Sequence, residues 1–130
     1  MLLDDTRLND VTGRILGGAI EVHRVLGPGL LESTYLTCLE YELKTAGLIS
    51  VCQHPISLSY KTLRLDAIYR MDLMVEELVI VEIKCVEHLA AVHKAQLLTY
   101  LRLTKKPAGL LINFHVARLM DGVRRLLNTN

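Results

Sequence analysis

Apolar residues spaced three or four positions apart predict two helices at the start of the chain. One such series runs from about residue 5 or 10 to residue 26, and the next from about residue 31 to residue 46. This spacing lines apolar side chains along one side of a helix. Gly27-Pro28-Gly29 separates the two series and is typical of a helix end, and Gly47 is well placed to close the second helix.

Residues 51–84 change to the patterns of β-strands. Pro55 interrupts the segment 51–60, which favours an edge or bulged strand. Through residues 65–76 two sets of side chains alternate, as on the two faces of a strand. Residues 79–84 are almost continuously apolar, which indicates a short strand covered on both faces.

The last third of the chain predicts a helix at 89–103, a buried strand at 108–114 and a closing helix at 116–127. The predicted order is therefore ααβββαβα, which favours an α/β fold with a mixed sheet packed by helices. A length of 130 residues is common for one domain, so residues 1–130 are expected to form a single domain.

Composition excludes some classes of protein. Apolar residues make up 51% of the chain and charged residues 22%, which excludes disorder. A net charge of +1 gives no general attraction for nucleic acid, so such binding would need a local patch or a partner. No apolar run approaches the ~20 residues of a membrane span, and no secretory signal is recognisable. Three cysteines without a CxxC pair fit reduced thiols, so we expect a cytoplasmic protein.

Two carboxylates on neighbouring predicted strands suggest a site. If residues 76–78 form the turn, Asp72 lies opposite Glu82, with Cβ atoms about 4.5–5.5 Å apart. Carboxylates that close repel unless they share a proton or a cation, and Mg²⁺ with substrate phosphate would suit them. Lys84 would share the face of Glu82 and could stabilise charge on a phosphate. The alternative is that Glu82 and Lys84 simply emerge to solvent at the end of the strand.

Other polar residues occupy apolar stripes of predicted helices. Glu32 lies on the stripe of the second helix, where the helix dipole alone could favour it by ~0.3–1 kcal/mol. A role as an additional ligand beside Asp72 and Glu82 is the alternative. Gln96 and Tyr100 share a stripe on the helix 89–103, and a glutamine there needs a hydrogen-bond partner. A structural network and a catalytic role would both account for it.

The segment Gly29-Leu30-Leu31-Glu32-Ser33-Thr34-Tyr35 resembles the GxxExxY protein family, which is named for that spacing. Further blocks resemble the same family in the same order, so that the resemblance extends over about residues 10–128. These blocks are Ala19-Ile20-Glu21-Val22-His23, Leu26-Gly27-Pro28-Gly29, Tyr69-Arg70-Met71-Asp72-Leu73, Ile80-Val81-Glu82-Ile83-Lys84, Ala95-Gln96-Leu97-Leu98-Thr99-Tyr100-Leu101 and Gly109-Leu110-Leu111-Ile112-Asn113-Phe114.

That family is grouped with the PD-(D/E)XK nuclease-like superfamily. The resemblance implies a restriction-endonuclease-like fold, a mixed sheet flanked by helices. It implies Asp72, Glu82 and Lys84 as the signature triad, with Glu32 as an additional acidic residue from the helix before the sheet. Met71 stands where a proline often precedes the signature aspartate.

The resemblance also implies chemistry. Gln96 and Tyr100 fit a Q-x-x-x-Y pattern similar to that of RecB-like nucleases. We expect a Mg²⁺- or Mn²⁺-dependent nuclease that hydrolyses phosphodiester bonds in DNA, with RNA as the alternative substrate, and with Asp72, Glu82 and Glu32 around the metal. The alternative is a catalytically silent nuclease-fold module that binds nucleic acid or protein. A homodimer, or a partner protein, would enlarge the binding surface.

Overall fold

A computed structural model describes residues 5–129. Within that range, helices flank a sheet of five strands. In chain order the elements are α1 (Asp5–Leu26), α2 (Glu32–Thr45), β1 (Ser50–Tyr60), β2 (Leu63–Val75), β3 (Val79–Lys84), α3 (Ala91–Thr104), β4 (Ala108–Asn113), a 3₁₀ helix (Leu119–Gly122) and β5 (Val123–Leu127). The predicted α/β class with a mixed sheet is confirmed.

The strands lie side by side in chain order, from β1 to β5. Neighbouring strands are antiparallel except for β3 and β4, which are parallel and are connected through α3. A parallel pair requires such a crossover, whereas a tight turn suffices for the antiparallel pairs. Pro55 lies in β1, an edge strand, as predicted.

Apolar side chains fill both faces of the sheet. One cluster joins α1 and α2 to the sheet through residues such as Ile15, Leu39 and Val81. The other joins α3 to the opposite face through residues such as Leu97 and Ile80. Because β3 contributes to both clusters, its continuous apolar sequence is explained.

The alternation of β2 changes at Asp72. Met71 belongs to the cluster with α3, whereas Leu73, two residues later, belongs to the cluster with α1 and α2. In a regular strand both would face the same side. On the neighbouring strand, Gln53 has a φ of +54°, between the pairs Cys52↔Leu73 and His54↔Met71. The strand pair is therefore irregular at the position that carries the first candidate site residue.

The prediction of a closing helix at 116–127 is wrong. A 3₁₀ helix at Leu119–Gly122 leads instead into β5, which pairs antiparallel with β4. The apolar spacing of this short segment is compatible with a helix. The edge of β4 offers unpaired backbone groups, and pairing them outweighs a weak local preference.

No helix among residues 5–129 is long and apolar enough to cross a lipid bilayer. The three cysteines, Cys38, Cys52 and Cys85, are free thiols as predicted.

Gly122 provides a test of the fold at the start of β5. A Cβ atom there would lie 2.2 Å from the backbone oxygen of Asn113, which cannot move aside easily. We expect Gly122→Ala to lower the free energy of unfolding by about 1–3 kcal/mol, measured by urea denaturation. Gly17→Ala is the matched control, because Gly17 lies within α1 with open space around it. That change should raise the free energy of unfolding by about 0.5–1 kcal/mol. Equal effects at both positions would contradict this packing.

Candidate active site

The side chains of Asp72 and Glu82 each accept a hydrogen bond from the neighbouring strand at the point where β2 and β3 separate. The backbone N–H of Asp72 donates to Glu82 Oε2 at 2.8 Å, and the N–H of Ile83 donates to Asp72 Oδ2 at 2.8 Å. Regular pairing between the strands runs from Val75↔Val79 only to Leu73↔Val81. Beyond that pair, the two carboxyl groups accept the backbone hydrogen bonds that strand pairing would otherwise use. The structure thus brings the predicted pair together.

Burial makes this pair electrostatically expensive. Glu82 is 5% exposed. Burial, and then the charge of Asp72, raise the pKa of Glu82 to about 8. Burial also raises the pKa of Asp72, although the N–H of Ile83 and the charge of Lys84 act in the opposite direction. At neutral pH the pair is thus stable with one proton between two carboxyl groups, or with a cation in place of that proton.

Lys84 is the last residue of β3 and is partly buried. Its positive charge lowers the pKa of both Asp72 and Glu82, so it lies within electrostatic range of the pair. Its backbone oxygen accepts a hydrogen bond from the N–H of Phe114 at 2.9 Å, which ties the end of β3 to the end of β4. The alternative that Glu82 emerges to solvent is wrong, because its side chain is buried, whereas the same alternative stays open for the partly exposed Lys84 side chain.

Sequence reasoning missed Asn113 as a support for this end of the sheet. Its side chain is only 2% exposed. The amide oxygen accepts from the N–H groups of Val86 and His115, both at 3.1 Å, and the amide nitrogen donates to the Val86 oxygen at 2.8 Å. Asn113 therefore fixes the chain just beyond Lys84. A polar residue ending an otherwise apolar strand was the available signal.

Glu32 begins α2 and reaches the exit of β3. Its Oε2 accepts a hydrogen bond from the N–H of Cys85 at 3.0 Å. Its charge raises the pKa of Asp72, and both side chains line a cavity of about 500 Å³ that includes Gln53. Glu32 thus faces the same space as Asp72, while one of its oxygens anchors the backbone after Lys84.

Tyr35 explains the last position of the GxxExxY spacing. Its hydroxyl donates to the backbone oxygen of Gly27 and accepts from the N–H of Leu30 at 3.2 Å. Its ring is fully buried and stacks on Phe114, with centroids 4.4 Å apart. Gly29 has a φ of +106°, which favours glycine. The glycine turn and the tyrosine therefore hold the start of α2 against the sheet, where Glu32 is directed at β3.

Gln96 and Tyr100 approach the pair from α3, on the other side of the sheet from α2. The Gln96 side chain lies near the Tyr100 hydroxyl and lowers its pKa. Burial, followed by the charges of Glu82, Tyr69 and Asp72, raises the pKa of Tyr100. His93, earlier on the same helix, accepts from the N–H of Ala90 at 3.0 Å and so caps the helix start.

The donor set suits a hard divalent cation. In each of Asp72 and Glu82, one carboxyl oxygen accepts a hydrogen bond from a backbone N–H. Through the second oxygen of each group, the two carboxyl groups can share a proton or a cation. Mg²⁺ commonly takes one or two carboxylates and completes its shell with water and phosphate. Across residues 5–129, no group of three or more His, Cys, Asp or Glu side chains is already arranged to hold a metal. The residues fit a two-carboxylate site, and Glu32 as a third ligand stays a prediction.

A mixed sheet with a buried carboxylate pair and a lysine two residues after the glutamate defines a nuclease-like class of α/β protein. The sequence pattern of the PD-(D/E)XK nuclease superfamily matches residues 9–126, and the chain belongs to that superfamily. Nucleases of this superfamily generally depend on divalent metals and act on nucleic acid. The closer resemblance to GxxExxY proteins stays a prediction.

Comparison with solved structures agrees with this fold. The crystal structure of SSO0001 is similar at a TM-score of 0.55 and 20% sequence identity, over 74% of this chain and 49% of that one. This chain therefore spans about half the length of SSO0001, and the likeness concerns the fold alone. No curated protein matches the sequence.

The raised pKa of Glu82 predicts how stability depends on pH without metal. The folded protein holds the Glu82 proton up to about pH 8, whereas the unfolded chain releases it near pH 4.5. Between these values the folded state binds more protons, so this contribution to stability falls as pH rises. Glu82→Gln, which mimics the protonated acid, should remove that loss. Relative to wild type, it should gain a few kcal/mol between pH 5 and pH 9, since one pKa unit is about 1.4 kcal/mol.

Urea denaturation in EDTA across this pH range would measure the difference. Glu77→Gln is the control, because Glu77 is an exposed carboxylate in the turn between β2 and β3. If Glu82→Gln and wild type keep a constant difference in stability at all pH values, the raised pKa is contradicted.

Proposed function

We propose that this protein is a Mg²⁺- or Mn²⁺-dependent nuclease that hydrolyses phosphodiester bonds in DNA, with RNA as the alternative substrate. The observation that carries the proposal is the Asp72–Glu82 pair. Glu82 is buried and Asp72 is partly buried, and each carboxyl group accepts a hydrogen bond from a backbone N–H of the other strand. The charge of Lys84 lowers the pKa of both groups, and Asp72 and Glu32 line the same cavity. Two carboxyl groups in contact are stable only when they share a proton or a cation, and Mg²⁺ commonly takes one or two carboxylates.

In this proposal Asp72 and Glu82 hold the ion, with Glu32 as a further ligand or as support through water. The bound ion supplies Lewis acidity toward a phosphoryl oxygen and lowers the pKa of water. Lys84 orients the attacking water and stabilises negative charge that develops on the phosphate. The hydrogen bond from Phe114 to its backbone oxygen fixes the main chain from which the Lys84 side chain extends.

Gln96 and Tyr100 have a positioning role in the same proposal. Gln96 and the charge of Glu82 both act on the pKa of the Tyr100 hydroxyl, so these groups lie within electrostatic range of one another. A Gln96 amide in this position can orient the carboxyl group or the substrate backbone. The Q-x-x-x-Y spacing places both side chains on one face of α3, since positions four apart are neighbours on a helix.

The competing function is a nuclease-fold module that binds nucleic acid or protein without turnover. The nearly neutral net charge of +1 favours it, because a nuclease that binds substrate alone commonly carries a basic surface. In that case DNA binding would depend on salt and would survive loss of Asp72 and Lys84. A partner protein or a second copy of the chain would then supply further contacts.

Calorimetric titration with Mn²⁺ and Mg²⁺ tests the metal. We expect wild type to bind and Asp72→Asn to lose binding, although asparagine keeps an oxygen for the Ile83 N–H. Asp66→Asn, a change at an exposed aspartate in the β1–β2 hairpin, is the matched control and should bind metal normally. If wild type binds neither ion, metal-dependent hydrolysis is excluded.

Cleavage of labelled DNA tests Lys84. We expect Lys84→Ala to lower kcat by about 10²–10³-fold, the usual effect of removing one group that stabilises transition-state charge, while metal affinity is kept. Lys61→Ala, at the tip of the β1–β2 hairpin, should leave both unchanged. EDTA should stop cleavage, and added Mg²⁺ or Mn²⁺ should restore it. Full activity of Lys84→Ala would exclude the assigned role.

Glu32→Gln separates a ligand from an anchor. Glutamine can still accept the Cys85 N–H but carries no charge. If Glu32 supports the ion, Mn²⁺ affinity falls severalfold while the melting temperature is kept, and we expect this result. Unchanged Mn²⁺ affinity in Glu32→Gln, together with a lower melting temperature in Glu32→Ala, would leave Glu32 with the anchoring role alone.

A further inference from the structure

A second cavity lies beside the candidate active site, between the β1–β2 hairpin and α3. Its volume is about 230 Å³. The residues that line it come from three elements and are Leu58, Tyr69, Gln96, Thr99, Tyr100 and Leu103. Gln96 and Tyr100 therefore belong both to this cavity and to the surroundings of the carboxylate pair.

The walls of this cavity combine flat aromatic, apolar and polar surfaces. Tyr69 is 45% exposed, and its ring lies 6.1 Å from that of Tyr100 at an angle of 47°. Leu58 and Leu103 add apolar surface, and Thr99 adds a hydroxyl. A planar heterocycle with polar edges can stack on such a tyrosine and hydrogen-bond at its rim.

A basic side chain lies beside the opening. Arg102 lies one turn along α3 from Thr99 and donates to its Oγ1 at 3.3 Å. Its guanidinium group is exposed. Arg70 follows Tyr69 in β2 and therefore points to the other face of the strand, and it donates to the backbone oxygen of Gln53 at 3.4 Å. Although the whole chain is nearly neutral, this opening presents positive charge next to an aromatic surface, which suits a strand of bases joined by phosphates.

We propose that the cavity between the hairpin and α3 binds one unstacked base of the substrate strand, next to the phosphate at Asp72 and Glu82, and so selects single-stranded or frayed DNA. This inference rests on the proposed nuclease function and adds the substrate class to it. In an intact duplex the bases are paired and stacked, so entry would require the cost of flipping a base. A free strand does not incur that cost.

The β1–β2 hairpin contributes the stacking wall. Regular pairing along the hairpin shifts between Ile56 and Leu58, and Ala67 has a φ of +51° in the opposite strand. Its N–H donates to Ser57 Oγ at 3.3 Å within this bulge. Bulges redirect side chains next to active sites. Here the bulge lies between Leu58 and Tyr69, the two hairpin residues that line the cavity.

Fluorescence anisotropy with labelled oligonucleotides tests the base pocket without cleavage. Affinities would be measured in EDTA and again in Ca²⁺, for one single strand, for its duplex, and for the single strand with abasic positions introduced one at a time. We expect wild type to prefer the single strand, and one abasic position to remove most of that preference. Tyr69→Ala should weaken single-strand binding by about tenfold, the usual effect of losing one stacked base.

Two variants serve as controls on the same hairpin. Tyr69→Phe keeps the ring and should bind like wild type. Tyr60→Ala removes an exposed tyrosine at the hairpin tip that does not line the cavity, and should also bind like wild type. Thermal melting followed by circular dichroism would confirm that each variant is folded, and the abasic series on wild type gives a result that does not depend on any variant.

Several results would overturn the pocket. These are no single-strand binding in either buffer, equal affinity for the intact and abasic strands, or equal losses for single strand and duplex in Tyr69→Ala. Mn²⁺-dependent cleavage with no effect of Tyr69→Ala or of abasic positions would reject the pocket and leave the nuclease. Base-dependent single-strand binding without cleavage would reject the nuclease and leave a base-binding cavity.

Discussion

The reciprocal bonding of Asp72 and Glu82 is the constraint on which the rest of the site depends. Glu82 accepts a hydrogen bond from the backbone N–H of Asp72, and Asp72 accepts one from the backbone N–H of Ile83. These two hydrogen bonds take the place of the next backbone pairing between β2 and β3, after Leu73↔Val81. A buried backbone donor needs a partner, and these side chains supply it. The arrangement satisfies the backbone but forces two acids together, which requires a proton or a cation to complete it.

Bringing two acidic groups together costs free energy, and the surrounding elements hold the site in place in spite of this cost. On one side, Tyr35 stacks on Phe114 and holds the glycine turn, which directs Glu32 at the exit of β3. At the sheet end, the Asn113 amide bonds the chain beyond Lys84. These residues therefore contribute by fixing the positions of the acidic and basic side chains as much as by their own chemical groups. A carboxylate or ammonium is useful in catalysis only when its rotamer is held.

The two faces of the sheet have different tasks. α1 and α2 pack on the larger core, and Glu32 is presented from the start of α2. α3 covers the other face and carries Gln96 and Tyr100 toward the pair. The change of facing at Asp72 allows one strand to serve both layers, because Met71 packs beneath α3 while Leu73 packs beneath the first two helices. Beyond this point the hairpin contributes Leu58 and Tyr69 to the cavity beside α3.

Much of the fold follows from local patterns. The bounds of β3 at 79–84 agree with its apolar run, and the ends of α1 and α2 agree with apolar spacing and glycine placement. The approach of Asp72 to Glu82 follows from the length of the turn, since strand register is a matter of counting once the turn is known. These features were predictable because each depends on residues that are close in sequence.

The tertiary structure decided what depends on distant partners. Residues 123–127 satisfy a helical pattern by themselves, and only the open edge of β4 makes them a strand. The facing of Met71, the buried amide of Asn113 and the cavity beneath Tyr69 likewise arise from contacts between segments far apart in the chain. By itself the sequence determined the elements up to β4 and the acidic pair, because period and spacing are local. Tertiary packing decided which strand edges, faces and cavities those elements share, because the free energy of these contacts exists only after the elements have come together.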